Sequence, residues 1–372
     1  MEALGERIDR LLAGPPYRTP PEERSLVLLE LLKDELEYAC DRHSMLHNYV
    51  RQWPLNFRLV ERIADLPYLP VSMLKAQPPL SLVDPGEIKR TLTSSSTTGQ
   101  LPSRIALDAP TARRMTKGVV AIAQDFIGSG RRPYLVVDVP GSVRGGPELG
   151  ARGAAIQGLH PFATEVTYCL NQDNQGELTL DLDRVLEFAK ARRESSVLVY
   201  GFTYILWKHL VTPLLADGIK LDMPDVHILH SGGWKRLQDE AVEKPAFNGA
   251  LAQVFGCSPD RVIDFYGMVE NVGIIYPDCS AGNKHVPRFG EVIVRNPLTL
   301  QPVAEGEQGV VQVCSVLPTS FPGHLLLTED IAEVVGTDGC LCGRRGTSFR
   351  FVGRVPKAEL RGCGNIDNRR LQ

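Results

Sequence analysis

Apolar residues in roughly the first 76 positions recur with the spacing of amphipathic helices. The run Ser25–Leu32 continues this pattern through Leu36 and Tyr38, and prolines interrupt it at positions 15, 16, 20, 21 and 54. The pattern predicts that residues 1–80 form a helical cap that precedes the main sheet.

Beyond this cap, short apolar runs alternate with helical patterns. The predicted strands are Tyr134–Val139, Val166–Leu170, Ser196–Tyr200, Val226–His230 and Val262–Tyr266. The predicted helices are Thr111–Ile127, Leu182–Ala191, Tyr204–Leu215 and Leu237–Phe255. This alternation predicts an α/β core over residues 81–290 with a largely parallel sheet, and such sheets bind ligands at the carboxyl ends of their strands.

After about Gly290 the pattern changes to strands separated by glycine and proline. The predicted strands here are Glu291–Arg295, Gly309–Val316, Ile331–Val335 and Phe349–Val352. We therefore expect a small β-subdomain over residues 291–352, followed by a hinge and tail over residues 353–372.

Composition excludes several classes of protein. The 372 residues are 43% hydrophobic, which supports a sizeable core, and the formal net charge is −3. A protein that binds nucleic acid through phosphate contacts would carry dense lysine and arginine blocks, and none is present. The sequence has no apolar signal core and no uninterrupted apolar run long enough for a membrane span, so we expect a cytoplasmic protein.

A hydroxyl-rich segment gives the first indication of chemistry. Six hydroxyl residues, Thr93 to Thr98, precede Gly99, and strand-like alternation flanks them in Lys89–Thr93 and Ser103–Asp108. Hydroxyl and backbone N–H groups at the tip of a hairpin can bind the phosphates of a nucleotide. The proposed phosphate-binding residues are Ser94, Ser95, Ser96, Thr97, Thr98 and Gly99. The segment lacks the Gly-Lys-Ser/Thr ending of a P-loop, and an ordinary surface turn is the alternative.

Three further segments place polar groups or glycines at predicted strand ends. In Phe265–Glu270, Tyr266 can stack on a base beside Gly267, and Glu270 can bind Mg²⁺; the alternative is a solvated carboxylate. Asp330 can accept hydrogen bonds from ribose hydroxyls, or it belongs to a charged turn. Ser231, Gly232 and Gly233 follow a strand and let the backbone approach a flat base.

Together and in this order, these motifs resemble the ATP-dependent adenylate-forming superfamily, which also carries a Gly-Arg hinge like Gly353-Arg354. Within it the chain resembles the acyl-protein synthetase family, also called long-chain-fatty-acid–luciferin-component ligases. The distinguishing stretches are Tyr276–Cys279, Gly282–Pro287, Pro322–His324 and Ala358–Cys363. The resemblance extends from about Ser72 to Gly364.

The resemblance implies two half-reactions. A fatty acid attacks the α-phosphate of ATP to give an acyl-adenylate, and a cysteine near the C-terminus, Cys363 here, then takes the acyl group as a thioester for transfer to a partner reductase. The implied catalytic residues are Cys363, Glu270 and Arg354. The large C-terminal domain of most relatives, with its catalytic lysine, is expected to be absent, and Arg354 and Lys235 are candidate replacements for that lysine.

Three positions depart from the superfamily pattern and leave other functions open. They are Ser96, Val269 and Pro356, where relatives usually carry glycine, threonine and aspartate. A catalytically degenerate nucleotide-binding scaffold is therefore one alternative. An acyl-CoA ligase of the phenylacetate–CoA ligase type is another.

A second constellation has the composition of a structural zinc site. Its four ligands are Cys279, His285, Cys340 and Cys342, which lie in glycine-rich turns beside predicted strands. Phenylacetate–CoA ligases carry similar positions, and that resemblance suggests zinc. The alternative is a set of separate turn thiols. The cysteines at positions 40, 169, 257 and 314 are expected to be core thiols.

Overall fold

The fold is known from a computed structural model, which describes residues 3–94, 101–143, 148–234 and 241–355. The α-helices are α1 (Leu4–Ala13), α2 (Pro21–Arg42), α3 (Ser44–Arg51), α4 (Ala109–Ile127), α5 (Ala151–Leu159), α6 (Leu182–Arg192), α7 (Thr203–Leu206), α8 (Thr212–Ala216) and α9 (Lys244–Phe255). The strands are β1 (Leu69–Pro70), β2 (Arg90–Thr93), β3 (Arg104–Leu107), β4 (Arg132–Val136), β5 (Glu148–Gly150), β6 (Ala163–Tyr168), β7 (Leu170–Gln172), β8 (Leu178–Leu180), β9 (Val197–Phe202), β10 (Val226–Ser231), β11 (Val262–Gly267), β12 (Ile275–Pro277), β13 (Lys284–His285), β14 (Gly290–Arg295), β15 (Gln308–Ser315), β16 (Leu325–Thr337) and β17 (Thr347–Arg354).

A mostly parallel sheet forms the α/β core. Its strand order is β12-β11-β10-β9-β4-β6, and β12 alone runs antiparallel to its neighbour. The central strands β4, β9 and β10 are buried along almost their whole length, as is typical of strands inside a parallel sheet. The strands predicted in this region are confirmed, and the carboxyl ends of β9, β10 and β11 meet at one edge.

A second six-stranded sheet is mostly antiparallel. Its order is β13-β17-β16-β15-β14, and the two-residue strand β1 pairs in parallel with β16. Strand β16 runs unbroken from Leu325 to Thr337, so Asp330 lies inside a strand and the alternative of a charged turn is wrong. Strands β1 and β13 come from outside residues 291–352. The predicted division of the chain at residues 80, 290 and 352 stays a prediction.

The predicted hairpin around the hydroxyl segment is confirmed. Strands β2 and β3 pair antiparallel, with Thr93 opposite Arg104. Beyond this pair, the backbone N–H of Ser94 donates to the carbonyl of Ser103 (3.1 Å). The N–H of Ser103 donates to the Ser94 hydroxyl (2.9 Å). The predicted phosphate-binding residues from Ser95 to Gly99 lie outside the described residues.

Two predicted helices differ from the structure, in both cases near a proline. The segment Tyr204–Leu215 is divided into α7 and α8 by a π-helical turn, Trp207–Val211. Pro213, which has no N–H to donate to the carbonyl four residues earlier, explains why regular α-helical bonding is lost there. The helix predicted to begin at Leu237 begins at Lys244 in the structure, with Pro245 in its first turn, where a missing N–H costs little.

The N-terminal helices pack on the antiparallel sheet. Leu28 and Leu32 of α2 share one buried cluster with Val292 and Val313 of β14 and β15. Buried Arg24 also forms an ion pair with Glu291 of β14. Among the described residues, no helix combines the length and the apolar composition that crossing a bilayer requires.

Glu35 of α2 is a buried carboxyl group whose two oxygens lack a hydrogen-bond partner among the described residues. Burial, only partly offset by the charge of Arg114, raises the pKa of Glu35 well above its usual value. The pKa of a glutamate in an unfolded chain is about 4.3. Above that pH, Glu35 is still protonated in the folded protein but has lost its proton in the unfolded chain. Glu35 therefore lowers the free energy of unfolding progressively as the pH rises from about 4.3 towards the pKa of Glu35 in the folded protein.

Replacing Glu35 with leucine is expected to stabilise the fold by about 1–3 kcal/mol at about pH 8, because an unpaired polar group leaves the core. The gain should shrink towards about pH 3.5, where the carboxyl group is largely protonated in both states. Urea unfolding of wild type and variant at both pH values measures this difference in the free energy of unfolding. Glu30→Leu, at an exposed position of the same helix, is the control and should leave the pH dependence unchanged. Identical pH dependence in wild type and Glu35→Leu would contradict this account.

Candidate active site

A cavity of about 1160 Å³ opens at the carboxyl ends of β9, β10 and β11. It is bounded by the parallel sheet, the β2–β3 hairpin and the facing strands β16 and β17. All nine of the predicted nucleotide-site residues that the structure describes line it: Ser94, Ser231, Gly232, Gly233, Tyr266, Gly267, Glu270, Asp330 and Arg354. Residues separated by up to 260 positions in the chain therefore meet around one space. The remaining predicted residues of this site, Ser95, Ser96, Thr97, Thr98, Gly99 and Cys363, lie outside the described residues.

The glycine turn after β10 presents backbone to the cavity. The hydroxyl of Ser231 points away, to the buried hydroxyl of Tyr200 at 2.9 Å. Gly232 has φ +80°, a left-handed conformation that favours glycine, and a Cβ there would touch the ring of Phe202. The turn therefore presents backbone to the cavity, and its use as the wall of a base pocket stays a prediction.

Tyr266 is held by both its ring and its hydroxyl. The ring lies nearly parallel to the rings of Tyr276 and Phe351, with centroids 5.8 and 4.9 Å away. Its hydroxyl donates to Oδ2 of Asp330 at 2.7 Å. Tyr266 is thus one member of an aromatic cluster, in which Phe351 is the most exposed ring at 38%.

Asp330 connects this cluster to the hinge. Besides the bond from Tyr266, Nε of Arg354 lies 3.3 Å from its Oδ1. Burial raises the pKa of Asp330. A carboxylate has about four lone-pair positions, so acceptor capacity remains for a ligand's hydroxyl groups.

Glu270 follows β11 at the floor of the cavity. It is only 6% exposed, so the alternative of a solvated carboxylate is wrong. Burial raises the pKa of Glu270, and the positive charge of Lys75 opposes that rise. A buried carboxylate facing a polar cavity is suited to binding a divalent cation.

A charged network that the sequence analysis missed borders the glycine turn. Asp264 lines the cavity, and its Oδ2 lies 3.1 Å from Nζ of buried Lys284. The same ammonium group lies 3.1 Å from Oδ1 of Asp278, which also pairs with Lys244. Although burial opposes it, the charges of Lys284 and Lys244 hold the pKa of Asp264 below its usual value. The sequence could have indicated that Asp264 faces the cavity. Asp264 precedes Tyr266 by two residues, and alternate residues of a strand lie on the same face of the sheet.

One arm of the cavity is apolar. Helices α4 and α5 supply Met115, Val119, Ala154, Ala155 and Leu159, and β12 adds Ile275. Gly158 also lines this arm, and a Cβ at that position would contact Val119 at 3.4 Å. Small residues on α5 therefore leave space that larger side chains would fill.

The four predicted zinc ligands come together at a separate place. Their ligand atoms all lie within 4.8 Å of one another. Cys279 follows β12, His285 belongs to β13, and Cys340 and Cys342 lie in the turn between β16 and β17. The alternative of separate turn thiols is wrong, because three sequence segments converge here.

The geometry of this cluster fits a tetrahedral metal. The sulfur atoms of Cys279 and Cys340 are 3.7 Å apart, too far for a disulfide. With Zn–S bonds of about 2.3 Å, a tetrahedral site places two sulfur ligands about 3.8 Å apart. Nε2 of His285 lies 3.2 Å from Sγ of Cys342. Burial lowers the pKa of His285 to about 4, which favours the neutral imidazole that binds metals.

Comparison with known proteins identifies the chain's relatives. The family model described as "Acyl-protein synthetase, LuxE" matches residues 2–372. The long-chain-fatty-acid–luciferin-component ligase of Vibrio harveyi is 25% identical over 366 residues, which cover 95% of this chain and 91% of that protein. The protein of the same name from Aliivibrio fischeri is 24% identical, over 89% of this chain and 85% of its own length.

Solved structures bear on the fold. The crystal structure of 2-hydroxyisobutyryl-CoA ligase in an open conformation, in complex with 2-HIB-AMP and CoA, has a TM-score of 0.69 at 16% identity. The match covers 92% of this chain and 77% of that one. The predicted α/β fold of the adenylate-forming type is therefore confirmed. Because the family match spans nearly every residue, the chain belongs to the LuxE acyl-protein synthetase family and is an AMP-forming acyl ligase.

Proposed function

We propose that this enzyme uses ATP to activate a fatty acid as an acyl-adenylate, transfers the acyl group to its own Cys363, and delivers it to a partner reductase. The supporting observation is the convergence of Ser94, the glycine turn, Tyr266, Glu270 and Asp330 on one cavity. That arrangement joins a polar region suited to a nucleotide with an apolar region suited to an alkyl chain.

In this proposal the nucleotide occupies the polar part of the cavity. The base packs between the glycine turn and the aromatic cluster of Tyr266 and Phe351, and Asp330 accepts from the ribose hydroxyls. Ionised Asp264 has only acceptor atoms, so it would receive hydrogen bonds from the 6-amino group of adenine and disfavour the carbonyl oxygen of guanine. Glu270 would hold the Mg²⁺ that accompanies the phosphates, and the hydroxyl residues Ser95 to Gly99 would donate hydrogen bonds to those phosphates.

The acid lies with its chain in the apolar arm between α4 and α5. Each buried methylene contributes about 0.8 kcal/mol, so affinity should increase with chain length until the arm is full. The carboxylate of the acid then faces the α-phosphate of ATP, where the apolar arm of the cavity joins its polar part. The names of the Vibrio harveyi and Aliivibrio fischeri relatives, which specify a long-chain fatty acid, agree with this assignment.

The acyl-adenylate is a mixed anhydride, and a thiolate captures it with release of AMP. The Cys363 sulfur forms the new bond to the carbonyl carbon, and the bond to the phosphate oxygen breaks. Carriage on the enzyme's own cysteine would hold the activated acyl group until a reductase accepts it.

The decisive experiment incubates the enzyme with ATP, Mg²⁺ and a series of carboxylic acids. We expect acid-dependent pyrophosphate release that is greatest for a long-chain acid, and an intact mass increased by one acyl group. Transfer of the label to added coenzyme A instead of protein would favour an acyl-CoA ligase. Absence of pyrophosphate release with every acid would favour a nucleotide-binding scaffold.

We further propose that the cluster of Cys279, His285, Cys340 and Cys342 binds one structural Zn²⁺. Four protein ligands leave no coordination position for water, so the metal would join β12 to the β16–β17 turn and would not take part in the reaction.

Purified enzyme is expected to contain about one equivalent of zinc, and Cys340→Ser should lose most of it together with thermal stability. Elemental analysis and thermal melting measure the two effects. Cys257→Ser, at a half-buried cysteine outside the cluster, should keep its zinc. Less than about half an equivalent in wild type, or an unchanged content in Cys340→Ser, would contradict the site.

A further inference from the structure

The cavity wall contains four cationic side chains among the described residues, and three of them already contact another side chain. Lys244 is paired with Asp278 in the charged network. Arg90 donates to Oε1 of Gln157 at 2.9 Å. Arg354 is 71% exposed and lies 3.3 Å from Asp330.

Lys75 is the fourth cation, and its pairing is weaker. Its nearest carboxylate oxygen, on Glu329, is 3.8 Å away, and the Glu329 side chain is 58% exposed. Ion pairs of that kind contribute little, because water solvates the exposed partner. An incoming phosphate group would therefore meet little competition for this ammonium group.

The backbone around Lys75 is firmly placed. The residue ends a helical turn, Val71–Lys75, that directly follows β1. Strand β1 pairs with β16 at Leu69↔Leu326 and Pro70↔Leu327, just before β16 reaches Asp330. Leu74, 1% exposed, anchors the turn in the core. The side chain of Lys75 is thus directed from a rigid element towards the cavity.

Lys75 lines the same cavity as Glu270, the proposed metal-binding carboxylate. Its charge acts on Glu270, and its ammonium group approaches Glu329, the residue next to Asp330. The proposed Mg²⁺ position at Glu270 and the proposed ribose position at Asp330 therefore share one cavity with Lys75. The phosphate that connects a ribose to a metal-bound pyrophosphate is the α-phosphate.

We propose that Lys75 is a catalytic residue of the adenylation step, in which its ammonium group binds a non-bridging oxygen of the α-phosphate. This inference depends on the proposed function. A bond forms between a carboxylate oxygen of the acid and the α-phosphorus. The bond from that phosphorus to the oxygen bridging the β-phosphate breaks, and pyrophosphate leaves with the electron pair. No proton is transferred, so charge neutralisation is the assistance that a side chain can provide.

The test compares Lys75→Met, Lys75→Gln and Lys75→Arg with wild type in acid-dependent pyrophosphate release, using the acid that gives the highest wild-type rate. We expect the first two variants to lose about 10²–10³-fold in kcat, with a smaller rise in the KM for ATP, and Lys75→Arg to retain part of the rate. Melting temperatures should match wild type in all three. Lys220→Met removes an exposed lysine outside the cavity and should behave as wild type.

Three results would overturn the role of Lys75. They are a wild-type kcat in Lys75→Met or Lys75→Gln, a raised KM for ATP with unchanged kcat, and an equal loss in Lys75→Arg. If Lys75→Met and Lys75→Gln both have lowered melting temperatures, Lys75→Arg decides the question. A Lys75→Arg variant with wild-type stability and no activity would contradict a role for the positive charge at this position. An inactive wild type contradicts the proposed function instead, so the two failures are distinguishable.

Discussion

A Cys363→Ser variant is expected to release pyrophosphate in its first turnover as wild type does but to carry no stable acyl group. A thiolate captures an acyl-adenylate readily, whereas a serine hydroxyl without an activating base is a far weaker nucleophile. Intact-mass spectrometry after incubation with ATP and a fatty acid measures the acylation, and sensitivity to hydroxylamine identifies a thioester.

The other cysteines provide the control. Burial raises the pKa of Cys257, and burial raises the pKa of Cys169 to about 12, so neither thiol is readily ionised. Cys257→Ser should therefore acylate as wild type does. Equal acylation of wild type and Cys363→Ser would refute the assignment of Cys363, while adenylation itself would remain intact.

A Glu270→Gln variant is expected to lose about 10²–10³-fold in kcat for pyrophosphate release, because an amide holds Mg²⁺ less strongly than a carboxylate and leaves charge on the phosphates uncompensated. Burial raises the pKa of Glu270, so wild-type activity should rise with pH as this group ionises. That rise should be absent from the residual activity of the variant. Steady-state kinetics across pH measure both effects, and the pH dependence is taken from kcat/KM for ATP, which reports the ionisation of groups in the free enzyme.

Glu333→Gln is the matched control. Glu333 lies on β16 outside the cavity and approaches Arg350 at 3.6 Å. Its replacement removes a partly buried carboxylate outside the cavity and should leave kcat and the pH profile unchanged. Unchanged pyrophosphate release in Glu270→Gln would remove Glu270 from the metal-binding role.

The spacing of apolar residues in the sequence was sufficient to predict those helices and strands that depend on local pattern. The strands of the parallel sheet are mostly apolar and buried, and their carboxyl ends carry the polar and glycine residues that line the cavity. Gly232 could be predicted to lie at the cavity, because a backbone segment that a ligand approaches closely favours a residue without a Cβ. The four members of the thiol–imidazole cluster were recognisable because thiol and imidazole groups in paired turns have few other uses.

Features that depend on distant pairing were not predictable. Strand β1 is two residues long, and its partner lies more than 250 positions further along the chain. The placement of Lys75 follows from that pairing, so no local pattern could have revealed it. For the same reason the apolar-to-charged change at Thr328–Asp330 resembled a turn, although pairing with β15 and β17 keeps it in a strand.

The short hairpin from Asp278 to His285 gives two sites a common support. Asp278 and Lys284 form a bridge within it and reach Asp264 in the cavity wall. Their immediate neighbours Cys279 and His285 face the opposite way, into the thiol cluster. An insertion or deletion in this hairpin would displace both sets of side chains at once. Attempts to alter nucleotide preference in this enzyme should therefore keep the hairpin's length fixed and vary the opposing wall.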